Sequence, residues 1–107
     1  DNLVHLAHNV KVGAHTAIAA QCGFAGSAVI GKRCMFAGHS GTVGHVTVCD
    51  DVVLSAKAMI TKDITKPGVY AGSFTSEPVR EWNKQVARFR RLGKLNQRVS
   101  KLEKDKR

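Results

Sequence analysis

The chain has 107 residues, room for one domain with an appendage but not for two full domains. Hydrophobic residues make up 43% of it, yet no apolar run approaches the ~20 residues that a membrane-spanning helix needs. Formal net charge is +9, and residues 77–107 alone hold eleven Lys/Arg against four Asp/Glu, so the rest is close to neutral and a uniformly basic nucleic-acid coat is excluded.

From the first residue the chain reads as a repeat entered part-way. Val4 occupies the small-residue position of a hexad whose large residue would precede residue 1, and neither an initiating Met nor a signal peptide is present. The expectation is a fragment of a longer chain, or a unit stabilised by oligomerising. From Leu6 a period of six runs for ten hexads. Leu6, Val12, Ile18, Phe24, Ile30, Phe36, Thr42, Val48, Leu54 and Ile60 stand at the pivot, with Thr42 the only polar one. Four residues after each pivot comes a small or β-branched residue: Val10, Thr16, Cys22, Ala28, Cys34, Ser40, Val46, Val52, Ala58 and Ile64. Six fits neither a 3.6-residue helix nor an uninterrupted strand alternation. It fits a parallel β-helix in which each hexad gives one short strand and one turn, three hexads closing a triangular coil. The large pivot fills the prism, and the small residue is expected to let the backbone turn the corner. About three coils are expected over residues 1–72. Cys22 and Cys34 fall on inward positions and read as core filler in a reducing compartment.

The hexads fade after Ile64, and Lys66-Pro67-Gly68-Val69-Tyr70 reads as a turn and an exit strand. Residues 73–107 form the second part. Thr75-Ser76-Glu77-Pro78 supplies a hydroxyl cap, an acidic first turn and a proline where its missing N–H costs little. Val79, Trp82, Val86 and Phe89, then Leu95, Val99 and Leu102, recur at spacings of three and four, with Gly93 between the sets. That predicts two short helices or one bent helix. Its seam is too narrow for a globular core and is suited to packing on like helices, as in a C3 trimer.

Residues eighteen apart stack one coil above another at ~4.8 Å. One column is then His8, Gly26, Gly44, Lys62 and its neighbour is His5, Gly23, Gly41, Met59. Four glycines in two adjacent columns strip side chains from the surface and leave a trough parallel to the prism axis. The plainer reading gives each glycine to a tight turn. His45, beside Gly44, lies two coils from His8, roughly 10 Å along the trough. His15 and His39 fall in other columns, as surface or interface residues. No Ser–His–acid pattern is present. A histidine of near-neutral pKa suits a general base, taking a proton from an amine or hydroxyl that attacks an acyl carbonyl. The Gly26 N–H is the candidate oxyanion donor, and Asp1 the candidate acid behind His8. Met59, about three coil spacings or ~14 Å beyond His5, would floor the trough at a length suited to a medium acyl chain; the plain alternative buries it at a subunit contact.

The stretch Asp1-Asn2-Leu3-Val4-His5-Leu6-Ala7-His8-Asn9, followed by hexads, Gly44-His45, Cys49-Asp50 and Pro67-Gly68-Val69-Tyr70, resembles the bacterial UDP-3-O-acylglucosamine N-acyltransferases of lipid A biosynthesis. The resemblance covers essentially the whole chain, as the C-terminal third of such an enzyme. It implies a left-handed parallel β-helix with a C-terminal α-helical extension, assembled as a homotrimer with active sites between subunits. The implied reaction moves an (R)-3-hydroxyacyl chain from acyl carrier protein to the 2-amino group of UDP-3-O-acylglucosamine, the carrier being a co-substrate and no cofactor being required. On this resemblance His8 matches the catalytic base, Gly26 the oxyanion donor, Asp1 the supporting acid and His45 the second active-site histidine. Gly23, Gly41, Gly44, Met59 and Lys62 line the substrate groove, Met59 at the position associated with acyl length and Lys62 at the mouth. The basic tail would dock the acidic carrier, with membrane-surface contact at the inner membrane left open. A cytoplasmic location follows. This chain alone, lacking the uridine-binding part and the earlier coils, is expected to bind nucleotide sugar poorly and to lack turnover.

Three rivals remain. O-acyl transfer to UDP-N-acetylglucosamine would use the same base and donor. A trimeric zinc enzyme of the γ-carbonic anhydrase type would need three histidines; His8 and His45 are too far apart to share an ion within one subunit, although a neighbour could supply ligands. A nucleic-acid-binding tail would interleave aromatics with its charges, but Trp82 and Phe89 both lie on the apolar seam.

Overall fold

A computed structural model describes residues 1–73 and 76–106. The chain divides into two compact units, Asp1–Ser73 and residues 74–107.

The first unit is a three-sided parallel β-helix. Its strands are β1 (His5–Leu6), β2 (Lys11–Val12), β3 (Ala17–Ile18), β4 (Gly23–Phe24), β5 (Val29–Ile30), β6 (Met35–Phe36), β7 (Gly41–Thr42), β8 (Thr47–Val48), β9 (Val52–Leu54), β10 (Met59–Ile60) and β11 (Gly68–Tyr70). Strands three apart pair in parallel, except that β11 pairs with β9, giving faces β1-β4-β7-β10, β2-β5-β8 and β3-β6-β9-β11. Eleven strands on three faces make just under four coils, rather than about three, because the exit strand β11 adds to β9 with Val69 opposite Val53. The hexad period sets the register: Leu6 pairs with Phe24, Ile30 with Val48 and Phe36 with Leu54.

Pivots and small residues both point inward. Phe24, Ile30, Phe36, Val48, Leu54 and Ile60 are buried with Cys22, Ala28, Cys34, Val46, Val52, Ala58 and Ile64. Phe24 and Phe36 meet edge to face, with centroids 4.9 Å apart. The Cys22 and Cys34 thiols are free and donate to the Ala37 and Cys49 carbonyls at 3.1 and 3.3 Å. Burial fades towards the first coil, where Leu6 is 47% and Val12 37% exposed because no coil covers them here. The Thr42 hydroxyl is buried with no partner among the described residues, at a desolvation cost of about 1–3 kcal/mol.

The corner is not made by the small residue, as the sequence reading expected. It is made one position earlier. Leu3, Asn9, His15, Gln21, Ser27, Arg33, His39, His45, Asp51 and Lys57 all have φ near +60°. Left-handed backbone costs a non-glycine residue roughly 1–2 kcal/mol. Each corner N–H from Gln21 to Lys57 donates to a carbonyl nineteen residues back at 2.9–3.1 Å, so the strained residue also rivets two coils together. The small residue's part is to fit the narrow inner angle.

The second unit holds one helix, α1 (Val79–Asp105). It runs unbroken through Gly93, so the two-helix expectation fails: one mid-helix glycine costs only about 1 kcal/mol, and 27 residues absorb it. Trp82 N–H donates to the Pro78 carbonyl at 2.9 Å, and Glu81 and Lys104 complement the dipole at the two ends. Of the expected hydroxyl cap, Thr75 lies outside the described residues; Pro78 stands at the N-cap, and among the described residues no side chain caps the helix. None of its described residues is buried; Phe89, Leu92, Leu95, Val99 and Leu102 are all exposed.

Candidate active site

The two glycine columns exist as stacked backbone. On the β1-β4-β7-β10 face His5 pairs with Gly23, Gly23 with Gly41 and Gly41 with Met59, so all four outward positions share one line. In the second column Ser27 N–H bonds the His8 carbonyl at 2.9 Å and His45 N–H bonds the Gly26 carbonyl at 3.0 Å. These bonds seat Gly26 on His8 and Gly44 on Gly26 at the corner that follows this face.

None of the four glycines has a positive φ; among the described residues the only glycine that does is Gly68. The turn explanation therefore fails for this strip, and packing separates its members. A Cβ on Gly41 would run into the Gly23 carbonyl, and one on Gly44 would come to 3.0 Å from the Gly26 carbonyl. Close coil stacking demands glycine at both. A Cβ on Gly23 would meet nothing within 4 Å, and one on Gly26 only the His8 carbonyl at an ordinary 3.5 Å. At Gly23 and Gly26 the fold has room for a side chain that the sequence does not supply.

His8 is exposed and stands one coil from Gly26. Around it the ladder is selective about donors. Ala25 N–H bonds the Thr42 carbonyl at 3.2 Å and Ser27 N–H bonds the His8 carbonyl, while the Gly26 N–H between them donates to no group among the described residues. An amide with no acceptor in the ladder and a histidine one coil away can together do two things: stabilise a negative oxygen, and take a proton from a group that attacks beside it.

Other predicted positions fall as follows. His45 occupies a left-handed corner, exposed, one coil beyond Gly26. His15 and His39 occupy exposed corners of the other two edges. Met59, 55% exposed, ends the glycine line, and Lys62 is exposed beyond Gly44. The Asp1 carboxylate, before β1, accepts the Asn2 N–H at 2.7 Å, and His8 follows β1. Sequence reasoning passed over the last corner, where the Asp63 carboxylate accepts the Thr47 N–H at 2.8 Å and stands in for the next strand; the lapse of the hexads after Ile64 was the available signal.

The one strong polar cluster lies away from this strip. Arg33 grips Asp51 through two bonds of 2.8 and 3.0 Å, and Asp50 accepts the Lys32 N–H at 2.7 Å. The Arg33 guanidinium holds the Asp51 carboxyl below its usual range, and Asp51 in turn raises Arg33. It is a corner staple between coils. Among the described residues no three His, Cys, Asp or Glu side chains of one chain converge as a metal site, and no helix is long and apolar enough to cross a membrane.

Comparison with known proteins gives one consistent result. The chain is 47% identical over 104 residues to the UDP-3-O-acylglucosamine N-acyltransferase of Bordetella avium, covering 97% of this chain and 29% of that protein. It is 47% identical over 103 residues to the protein of the same name from Hahella chejuensis, covering 96% and 30%, and 42% identical over 105 residues to that of Bordetella pertussis, covering 98% and 29%. It thus spans under a third of the length of these relatives. No protein-family model matches it.

Proposed function

We propose that this chain, which belongs to the UDP-3-O-acylglucosamine N-acyltransferase family, carries the acyl-transfer site of an enzyme acting in lipid A biosynthesis. The enzyme moves an (R)-3-hydroxyacyl chain from acyl carrier protein to the 2-amino group of UDP-3-O-acylglucosamine. The observation that supports this reading is the Gly26 N–H, which donates to no group among the described residues, one coil from His8, with side-chain space left empty at Gly23 and Gly26.

The chemistry follows from those groups. The amine nitrogen attacks the thioester carbonyl carbon, forming the C–N bond while His8 takes the proton the nitrogen sheds. The carbonyl oxygen becomes an oxyanion that accepts from the Gly26 N–H. Collapse of the tetrahedral intermediate breaks the C–S bond, and the proton passes from His8 to the departing thiolate. Asp1 is the acid assigned to the base, and His45 is the second histidine of the site. Gly23 and Gly41 bed the acyl chain, which runs towards Met59, and Gly44 continues the second column to Lys62.

The β-helix suits a homotrimer, three prisms side by side with the site between neighbours. Eleven Lys/Arg in residues 77–107, with Lys62, suit an acidic carrier protein. The carrier thioester is a co-substrate, and the reaction as written needs no resident cofactor. The enzyme works in the cytoplasm, beside the inner membrane.

The test is His8→Ala in the full-length protein, assayed for carrier-dependent N-acylation. A fall in kcat/KM of about 10²–10⁴ with trimer and fold intact is expected. Turnover near that of the unmodified protein removes His8 from the mechanism.

A further inference from the structure

The unbroken course of α1 sorts its side chains onto two sides. At about 3.6 residues per turn, Val79, Trp82, Val86, Phe89, Leu92 and Val99 fall within one arc of about 160°. The eight Lys/Arg from Arg80 to Lys101 fall within an arc of about the same width on the other side. Leu95 and Leu102 extend the apolar arc at its border in the C-terminal half. Phe89, Leu92, Leu95 and Leu102 are each more than half exposed.

Charge decides what such a helix can lie against. Between Glu81 and Glu103 stand seven Lys/Arg and no acid. Identical helices packed on one another would crowd like charges along that stretch, with no acid there to make the interhelical pairs that flank a coiled-coil seam. An acidic carrier protein answers the charges but leaves the apolar arc in water. The interface of an anionic bilayer answers both. Its acyl carbons take Trp82, Phe89 and Leu92, and its headgroup phosphates attract the Lys/Arg. The helix is not apolar enough to cross a membrane, but its 27 residues, ~40 Å long, can lie in the surface plane.

We propose that α1 is a membrane-surface helix that holds the enzyme on an anionic lipid leaflet. The contact follows from the helix alone. Its purpose rests on the acyl-transfer reading above, whose product bears two acyl chains and passes more readily to a bilayer than into water.

The test is co-sedimentation of the full-length protein with vesicles of phosphatidylcholine, and with vesicles of equal parts phosphatidylcholine and phosphatidylglycerol. Binding to the mixed vesicles is expected to be about 100-fold tighter or more. Lys94→Gln with Arg98→Gln should weaken it by about 25-fold, roughly fivefold for each charge removed. Phe89→Ser with Leu92→Ser should weaken it by about 10-fold at unchanged charge, which attraction between charges alone does not produce. Equal binding to the two kinds of vesicle, or mixed-vesicle binding unmoved by either pair of substitutions, would overturn the proposal. So would a protein that ignores vesicles: carrier binding lost in Lys94→Gln/Arg98→Gln would then give the basic arc to the carrier alone, and a trimer dissociated by Phe89→Ser/Leu92→Ser would give the apolar arc to a second copy. Full turnover in His8→Ala is a separate result, which removes the acyl-transfer reading and leaves the vesicle result standing.

Discussion

In the β-helix every strand is two or three residues long and owes its place to a partner most often eighteen residues away, whereas α1 closes each of its backbone bonds within four residues. A two-residue strand has no stability of its own, so the solenoid is collective: each coil is a template for the next. The helix, at 27 residues, is past the ~12–15 at which isolated helices become marginal, and none of its described residues is buried. One unit is held by what it encloses. The other is held by its own backbone and presents an apolar stripe with basic residues between.

That contrast can be broken by measurement. Phe36→Ala removes a ring that is 2% exposed and stacked edge-on against Phe24, and should cost the solenoid about 3–5 kcal/mol in denaturant unfolding. A loss below ~1 kcal/mol would mean that the coils do not depend on their filling. Gly93→Ala should act the other way, raising helix stability by about 1 kcal/mol with no effect on the solenoid transition. A concentration-dependent loss instead would show that Gly93 is a close-approach point between helices. The smallest effect belongs to the Arg33–Asp51 staple. Because the folded Asp51 carboxyl is held below its usual range, its contribution is present above the unfolded-state pKa and fades as pH falls through the folded one. Arg33→Gln should therefore flatten the acid limb of the stability–pH curve slightly and leave neutral-pH stability nearly unchanged, since both partners are about half exposed. An unchanged acid limb would show that the staple is ornamental.

Much of this was legible in the residues, for a definite reason. A solenoid turns sequence distance into height, so the period of six located the faces, the pivots and the line His5–Gly23–Gly41–Met59 before any coordinates. The corners were not legible. Left-handed backbone is usually signalled by Gly, Asn or Asp, and of the ten corner residues only Asn9 and Asp51 carry that signal. What holds the others there is a bond from the next coil, which no local pattern records. Of the two alternatives at Gly93, two helices or one, the single helix holds, because one glycine costs less than the summed helix propensity of its neighbours supplies.

The left-handed corners carry one more implication. Glutamine, serine, arginine, histidine, aspartate and lysine all occupy the same backbone state from Gln21 to Lys57, each with its amide committed to the coil frame and its side chain uncommitted by it. The architecture is in this respect a rack with interchangeable fittings. Three edges offer a peg at every rung, and a new side chain can be tried on a peg without retuning the rungs. His45 occupies such a peg, so a single substitution there changes the side chain offered at that edge while the interior records nothing of the change.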